Sequence, residues 1–295
     1  MNEFIIISCE QGSDEWHQAR SGIPTASMFK VARQRVNGLS DQQQKYVDAI
    51  LAGQTEAEAA ETAGYKSKPK RTETVERAIM GLPVGDFSDA AKNYAFRLAV
   101  EGISGVPLDE GFSTWQMKRG NELEPEARRR HEEEAGVIVE RAGFITTMDG
   151  AFGASADGLI GSKKGSEYKC LVSPEGLRDV LLNGDISEFI DQIQGCMWIT
   201  GREAWHFGLY CPALAPIGAD FTWREVARDD DYIEALEQDL MKFKELVDQY
   251  RERLLAISEP IEHPAQTTPP AAMEPAIASI KATPIQFIAL EEVEF

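Results

Sequence analysis

The stretch SADGLIGSKKGSEYKC (residues 155–170) sets Asp157, Glu167 and Lys169 around one short, glycine-bearing turn. In an extended strand, residues i and i+2 project from one face about 6–7 Å apart. Glu167 and Lys169 therefore point the same way, and Tyr168 points to the other face. A hairpin would bring Asp157, at the end of the preceding strand, beside them. Two carboxylates on one spot repel unless a cation joins them, and oxygen ligands with room for water suit Mg²⁺ or Mn²⁺. The Tyr168 backbone carbonyl is a further candidate ligand. Lys169 beside such a cation could hold or activate a water aimed at a phosphodiester, and its surroundings are expected to depress its pKa toward a base role. A second ion about 3.5–4 Å away would give the two-metal arrangement for in-line displacement, with one more carboxylate needed to hold it. The same residues also read as a solvated hairpin carrying a cross-strand ion pair.

The elements that must hold these residues follow from caps and periodicity. EFIIISC (residues 3–9) reads as a short strand, Ser13 as the N-cap of a helix through DEWHQARSG, and Thr25 or Ser27 as the start of a second helix, SMFKVARQR. SDAAKNYAFRLAVEG and MKRGNELEPEARRRHEEEAG read as long helices, and VIVERAGFITT and GAFGASAD as strands. SEYKCLV forms the strand after the turn, followed by the helix ISEFIDQIQGCMWITG, the strand EAWHFGLYCPA and a long amphipathic helix from DDDYIEAL to RLLAI. Helices flanking a central mixed sheet predict an α/β (α+β) domain over residues 1–37 and 83–258. Residues 38–82 differ in character. Helix, glycine turn, short helix, the basic stretch KSKPKR and a further helix make a helix-turn-helix-like layout. With its LSDQQ opening and AGY turn, this segment resembles the DNA-binding head of small terminase subunits. It reads equally as a helical hairpin decorating the main domain or as an oligomer contact. From Glu259 a Pro/Ala-rich linker leads to IQFIALEEVEF, an apolar and acidic end expected to be a docking tail.

Composition narrows the classes. With 49 acidic and 30 basic residues the formal net charge is −19, which argues against a general nucleic-acid coat or a binder of anionic membranes. An enzyme that keeps its positive charge in one groove stays possible. Cys9, Cys170, Cys196 and Cys211 are scattered without a C-x-x-C pair, so a zinc ribbon, an iron–sulfur cluster and a disulfide framework are not expected. No signal peptide is expected at the N-terminus, and no stretch approaches the roughly 20 apolar residues of a membrane span. A soluble, cytoplasmic protein with reduced thiols is the expectation.

Four blocks occur in order: QGSDEWHQARSGIPTAS, MKRGNELEPEARRRHE, SADGLIGSKKGSEYKC and DQIQGCMWITGREAWHFGLY. Together they resemble the phage lambda-type alkaline exonuclease family, viral recombination nucleases built on a restriction-endonuclease-like core. The resemblance covers residues 11–30 and about 112–250. It implies that Asp157 and Glu167 are metal ligands, Lys169 the catalytic lysine, Glu124 the carboxylate at the edge of the metal site, and Gln192 the glutamine that orders the centre. It further implies that Arg20 and Ser27 grip a 5′-terminal phosphate, with Ser155 placed for a third contact. The bland readings remain a surface helix arginine for Arg20 and a buried amide for Gln192. The activity implied is Mg²⁺-dependent 5′→3′ digestion of double-stranded DNA from its ends, leaving 3′ single strands for recombination by annealing. The implied assembly is a ring-shaped homotrimer working with a single-strand annealing protein in a bacterial or phage-infected cell. Three departures stand out. Ala156 and Leu171 replace prolines, and Glu175 stands near a phosphate-pocket arginine, with Arg178 the nearest arginine. Two other classes stay open: a non-catalytic DNA-binding or packaging-associated protein acting through residues 38–82, and a related endonuclease, whose iron–sulfur branch lacks support in the cysteines.

Overall fold

The computed structural model describes residues 4–80, 84–108, 115–170 and 173–257. After β1 (Phe4–Ile7), Ser13 accepts the Trp16 N–H and opens α1 (Asp14–Arg20), the cap expected from sequence. A 3-10 turn at Ala26–Met28, with Thr25 as its N-cap, runs into α2 (Phe29–Ala32). The longer helix expected here stops short because the next residues form β2 (Arg35–Val36), an antiparallel ribbon with β3 (Asp86–Phe87). Between the ribbon strands lie α3 (Asp41–Leu51), α4 (Glu56–Thr62) and α5 (Glu73–Ile79). Ser40 with Gln43, and Thr55 with Glu58, form capping boxes that satisfy the first amides of α3 and α4. The three helices bury Tyr46, Val47, Ala59, Ala60 and Val75 in an apolar cluster of their own.

Two long helices follow, α6 (Asp89–Ser104) and α7 (Trp115–Ala135). The strand expected over VIVERAGFITT shrinks to β4 (Phe144–Thr147), preceded by one isolated bridge between Glu140 and Leu159. At Gly143, just before β4, a Cβ would lie 2.2 Å from the Ile7 carbonyl oxygen, so the backbones approach too closely for any other residue. With β1 and β5 (Gly153–Ala154), β4 forms an antiparallel sheet in the order β1-β4-β5. After Ala154 the chain leaves this sheet. Asp157 therefore does not end a strand, as expected, but stands just before β6 (Gly158–Ile160) in a second sheet.

That second sheet is the mixed one. β6 and β7 (Lys164–Lys169) form an antiparallel hairpin in which Gly158 faces Ser166, so Asp157 comes opposite Glu167. β8 (Ala204–Tyr210) runs parallel to β7, and β9 (Phe221–Ala227) pairs antiparallel with β8. The connection from β7 to β8 carries α8 (Pro174–Leu181) and α9 (Ile190–Thr200), and α10 (Asp230–Ile257) closes the fold. β9 and α8 were not anticipated from sequence. On one face of β8, Trp205, Phe207 and Leu209 join Ile193 and Met197 of α9 and Leu236, Leu240 and Phe243 of α10 in the main core. Each such large side chain contributes roughly 1.5–3 kcal/mol by leaving water. On the other face Tyr168, Tyr210 and Phe221 pack on Ala127 of α7. β7 is thus held between α9 and α7. Leu171 and the expected linker and docking tail at 259–295 lie outside the described residues.

Candidate active site

Alternation along β7 turns Glu167 and Lys169 toward α9, where they meet Gln192. Lys169 Nζ donates to Glu167 Oε1 at 2.7 Å and to Gln192 Oε1 at 3.0 Å. Gln192 Nε2 donates to the same Glu167 oxygen at 2.7 Å, closing a triangle. Asp157 Oδ2 accepts the Tyr168 N–H at 2.6 Å across the hairpin. Glu124 reaches in from α7, paired with Arg128 one turn along the helix. The Phe189 ring lies 5.4 Å from Lys169 Nζ and walls the site on the α9 side. Asp157, Glu167, Lys169, Gln192 and Glu124 are therefore brought to one place.

The charges there are unbalanced. Burial, then the charges of Glu167 and Glu124, hold the Asp157 carboxyl well above its ordinary value, against the pull of Lys169 and the Tyr168 amide. Glu124 is raised as well, chiefly by burial and against Arg128 and Arg141. Burial alone would depress Lys169, but the carboxylates of Glu167 and Asp157 outweigh it and hold the ammonium above the usual lysine value. The depressed lysine expected from sequence is thus reversed in the protein by itself. Glu167 Oε2 is buried and has no hydrogen-bond partner. An orphaned carboxylate oxygen between repelling acids is what a small divalent cation would satisfy. Among the described residues no three Asp, Glu, His or Cys side chains close around one point. Asp157, Glu167 and the Tyr168 carbonyl would therefore leave part of a cation's shell to water, which fits the hydration that Mg²⁺ retains.

A second cluster adjoins the first through the segment that joins the two sheets. Arg20, near the end of α1, donates from Nη1 to Ser155 Oγ at 2.8 Å and from Nη2 to Thr25 Oγ1 at 3.5 Å. Ser155 also accepts the Trp16 indole N–H at 3.0 Å, and Thr25 Oγ1 lies 3.4 Å from Ser27 Oγ. The guanidinium carbon sits 3.9 Å over the Trp16 ring. Burial lowers Arg20 to about 10, against the opposing pull of Tyr94 and Glu101. Arg20 thus joins Ser155 and Thr25, the exposed Ser27 reaches this cluster only through Thr25, and Ser155 lies two residues before Asp157. Arg178 is elsewhere engaged, with Nη2 donating to its neighbour Asp179 at 3.1 Å.

Several members of these clusters were not picked out from sequence. Trp16 stands four residues before Arg20, a spacing that puts both on one helix face. Thr25 was read only as a helix start, and Arg128 and Phe189 had no such signal.

The fold defined by these two sheets and their helices is that of a solved alkaline exonuclease. The crystal structure of that enzyme from Laribacter hongkongensis matches with a TM-score of 0.58 at 24% identity, over 83% of this chain and 98% of that one. LHK-Exo in complex with dAMP matches with a TM-score of 0.58 at 25% identity, over the same shares. A search of curated proteins found no match. A family model of the YqaJ-like viral recombinase domain matches residues 15–203, and the chain belongs to that family.

Proposed function

We propose that this protein is a Mg²⁺-dependent 5′→3′ exonuclease that digests one strand of double-stranded DNA from its end and leaves a 3′ single strand for recombination by annealing. As a viral recombinase with the fold of an alkaline exonuclease, the chain is a nuclease; its metal, polarity and product are the proposal. The observation that carries it is the juxtaposition of an orphaned, buried Glu167 oxygen in an acid–lysine–glutamine triangle with a half-buried Arg20 bonded to Ser155, two residues from Asp157. A neighbour in complex with dAMP is in keeping, because stepwise hydrolysis of a strand releases 5′-mononucleotides.

Asp157, Glu167 and the Tyr168 carbonyl would hold Mg²⁺ or Mn²⁺, with Glu124 at the edge for a second ion. Bound there, the metal would polarise the scissile phosphate and neutralise the leaving oxygen. With Asp157 and Glu167 neutralised by the ion, the burial that opposes the charge on Lys169 Nζ would dominate and favour its uncharged form. That form would accept a proton from water, with Gln192 keeping the amine aimed at the site. Arg20, Ser155 and Ser27, flanked by Trp16, would take the 5′-terminal phosphate. Such a pocket requires an end, which selects exonuclease over nicking activity.

By the family resemblance the protein would act as a ring-shaped homotrimer with a single-strand annealing partner in the cytoplasm. Among the described residues no helix is long and apolar enough to cross a membrane. The reading is tested with linear duplex DNA carrying a 5′ phosphate on one strand only, in Mg²⁺ or EDTA, using wild type and Lys169→Ala. Mg²⁺-dependent loss of the phosphorylated strand, abolished by the substitution, is expected. Intact DNA with binding retained would move the weight to a non-catalytic role.

A further inference from the structure

On the α7 face of the mixed sheet, behind the acidic cluster, four side chains form an unbroken line of hydrogen bonds. The Tyr168 hydroxyl lies 2.8 Å from His131 Nδ1, and His131 Nε2 lies 2.9 Å from His206 Nδ1. His206 Nε2 lies 3.1 Å from Glu225 Oε2, which also accepts Lys164 Nζ at 2.6 Å. The two imidazoles are 0% and 3% exposed, so a charge on either would be costly.

The direction of the line follows from its one end that can only accept. Ionised Glu225 has no proton to give, so His206 carries its proton on Nε2. A neutral His206 then offers a lone pair at Nδ1, which the His131 Nε2–H fills. That leaves His131 Nδ1 to accept from the Tyr168 hydroxyl. Every donor meets one acceptor, and no other order of tautomers achieves this with both rings neutral.

The four residues come from four elements, β7, α7, β8 and β9. Tyr168 stands between Glu167 and Lys169, and its amide holds Asp157. His131 lies seven residues after Glu124, two turns along the same face of α7. Gly208 makes room for the tyrosine ring, since a Cβ there would lie 2.8 Å from Tyr168 Cδ1. The apolar contact of α7 with this face comes from Ala127 and the partly buried Leu123, and apolar packing alone carries no direction to fix a helix's register. Directional bonds fix it well.

We propose that the Tyr168–His131–His206–Glu225 line sets α7 against β7, making His131 and His206 positioning residues for Glu124, Asp157 and Glu167. This rests on the nuclease reading above. The test uses the full chain: Mn²⁺ binding without DNA by electron paramagnetic resonance, and kcat and KM on DNA ends. His206→Ala breaks the line, whereas His206→Asn keeps an oxygen to accept from His131. His206→Ala is expected to weaken Mn²⁺ binding and lower kcat about tenfold, the usual scale for outer-shell partners, with KM for DNA ends little changed. His206→Asn should recover most of both losses. Tyr168→Phe keeps the ring and removes one link, so it carries the test if the alanine variant fails to fold. Equal Mn²⁺ binding and kcat in wild type, His206→Ala and Tyr168→Phe would overturn the proposal, as would an asparagine variant no better than alanine. ¹⁵N-labelled histidine gives a reading independent of metal, since the sequence holds only 4 histidines. Both buried rings should carry the proton on Nε2, and the opposite tautomer at either overturns the assignment. A wild type that binds no Mn²⁺ would overturn the metal reading and this proposal with it, whereas failure of the variants alone to differ would leave that reading standing.

Discussion

Asp157 sits near two other acids, Glu167 and Glu124, where burial removes the water that would screen them. Asp157→Asn takes away one charge and keeps an oxygen to accept the Tyr168 amide. It is expected to stabilise the protein by about 1–2 kcal/mol while cleavage is lost, as for residues kept for function at a cost in stability. Urea unfolding beside the duplex digestion checks both, and an unchanged midpoint would mean the acids do not strain the fold. His131 gives a pH dependence of opposite origin. Burial, helped by His206, lowers it from 6.5 to about 4. Between those values the unfolded chain binds the proton and the folded one does not. Stability from this group is therefore complete above about 6.5 and is lost as pH falls through about 4. Thermal unfolding across that range should show a falling midpoint, and His131→Gln should flatten the dependence. At this scale Asp157, Glu167 and Lys169 were legible because their chemistry is unusual around one turn. Trp16 was missed, although its four-residue spacing to Arg20 carried a signal. His131 was not legible, because a single histidine in a highly charged helix carries no signal of what it faces.

The elements were legible where one physical requirement dominated. Ser13 caps as its type predicts, whereas Thr25 holds the N-cap position without a side-chain cap and turns its hydroxyl to Arg20, and α10 shows the apolar stripe of a helix lying on a core. β9 was missed because its inward series runs Phe221, Trp223, Glu225, and the last is drawn to His206 rather than to apolar packing. The split of the strands into two sheets was not legible either, since it turns on a bend at Ser155–Asp157 without a glycine or proline. The β6–β7 hairpin that the bend feeds is pinned from outside. Arg202, just before β8 and buried, donates from Nη1 to the carbonyls of Gly161 at 2.7 Å and Lys164 at 2.6 Å. Arg202→Ala would strand both carbonyls, and a loss of about 3 kcal/mol is expected. Denaturant unfolding with an unchanged slope would attribute that loss to the native state. A loss under about 0.5 kcal/mol would mean the turn holds itself.

Across the whole molecule, the helices α3–α5 enter and leave at one point. Val36 pairs with Asp86, and the next residue inward on each side, Asn37 and Gly85, has φ of 58° and 84°. Positive φ at both central positions is the requirement of a type I′ hairpin turn, and Asn-Gly is its preferred pair. The two ends already meet, since a Cβ on Gly85 would lie 3.1 Å from Gly38 Cα. Removing residues 38–84 would therefore join Val36, Asn37, Gly85 and Asp86 as a two-residue hairpin. The apolar cluster of α3–α5 would go with it, and the main core draws its buried residues from the rest of the chain. The shortened protein is expected to fold, to unfold within about 5 °C of the full chain, and to keep metal-dependent cleavage. A protein that no longer folds would show that α3–α5 hold the main core. A folded protein that binds Mn²⁺ but no longer digests DNA ends would instead assign those helices a contact with DNA or with a neighbouring subunit. Only in that case would their basic stretch, Lys66 to Arg71, become part of the enzyme's working surface.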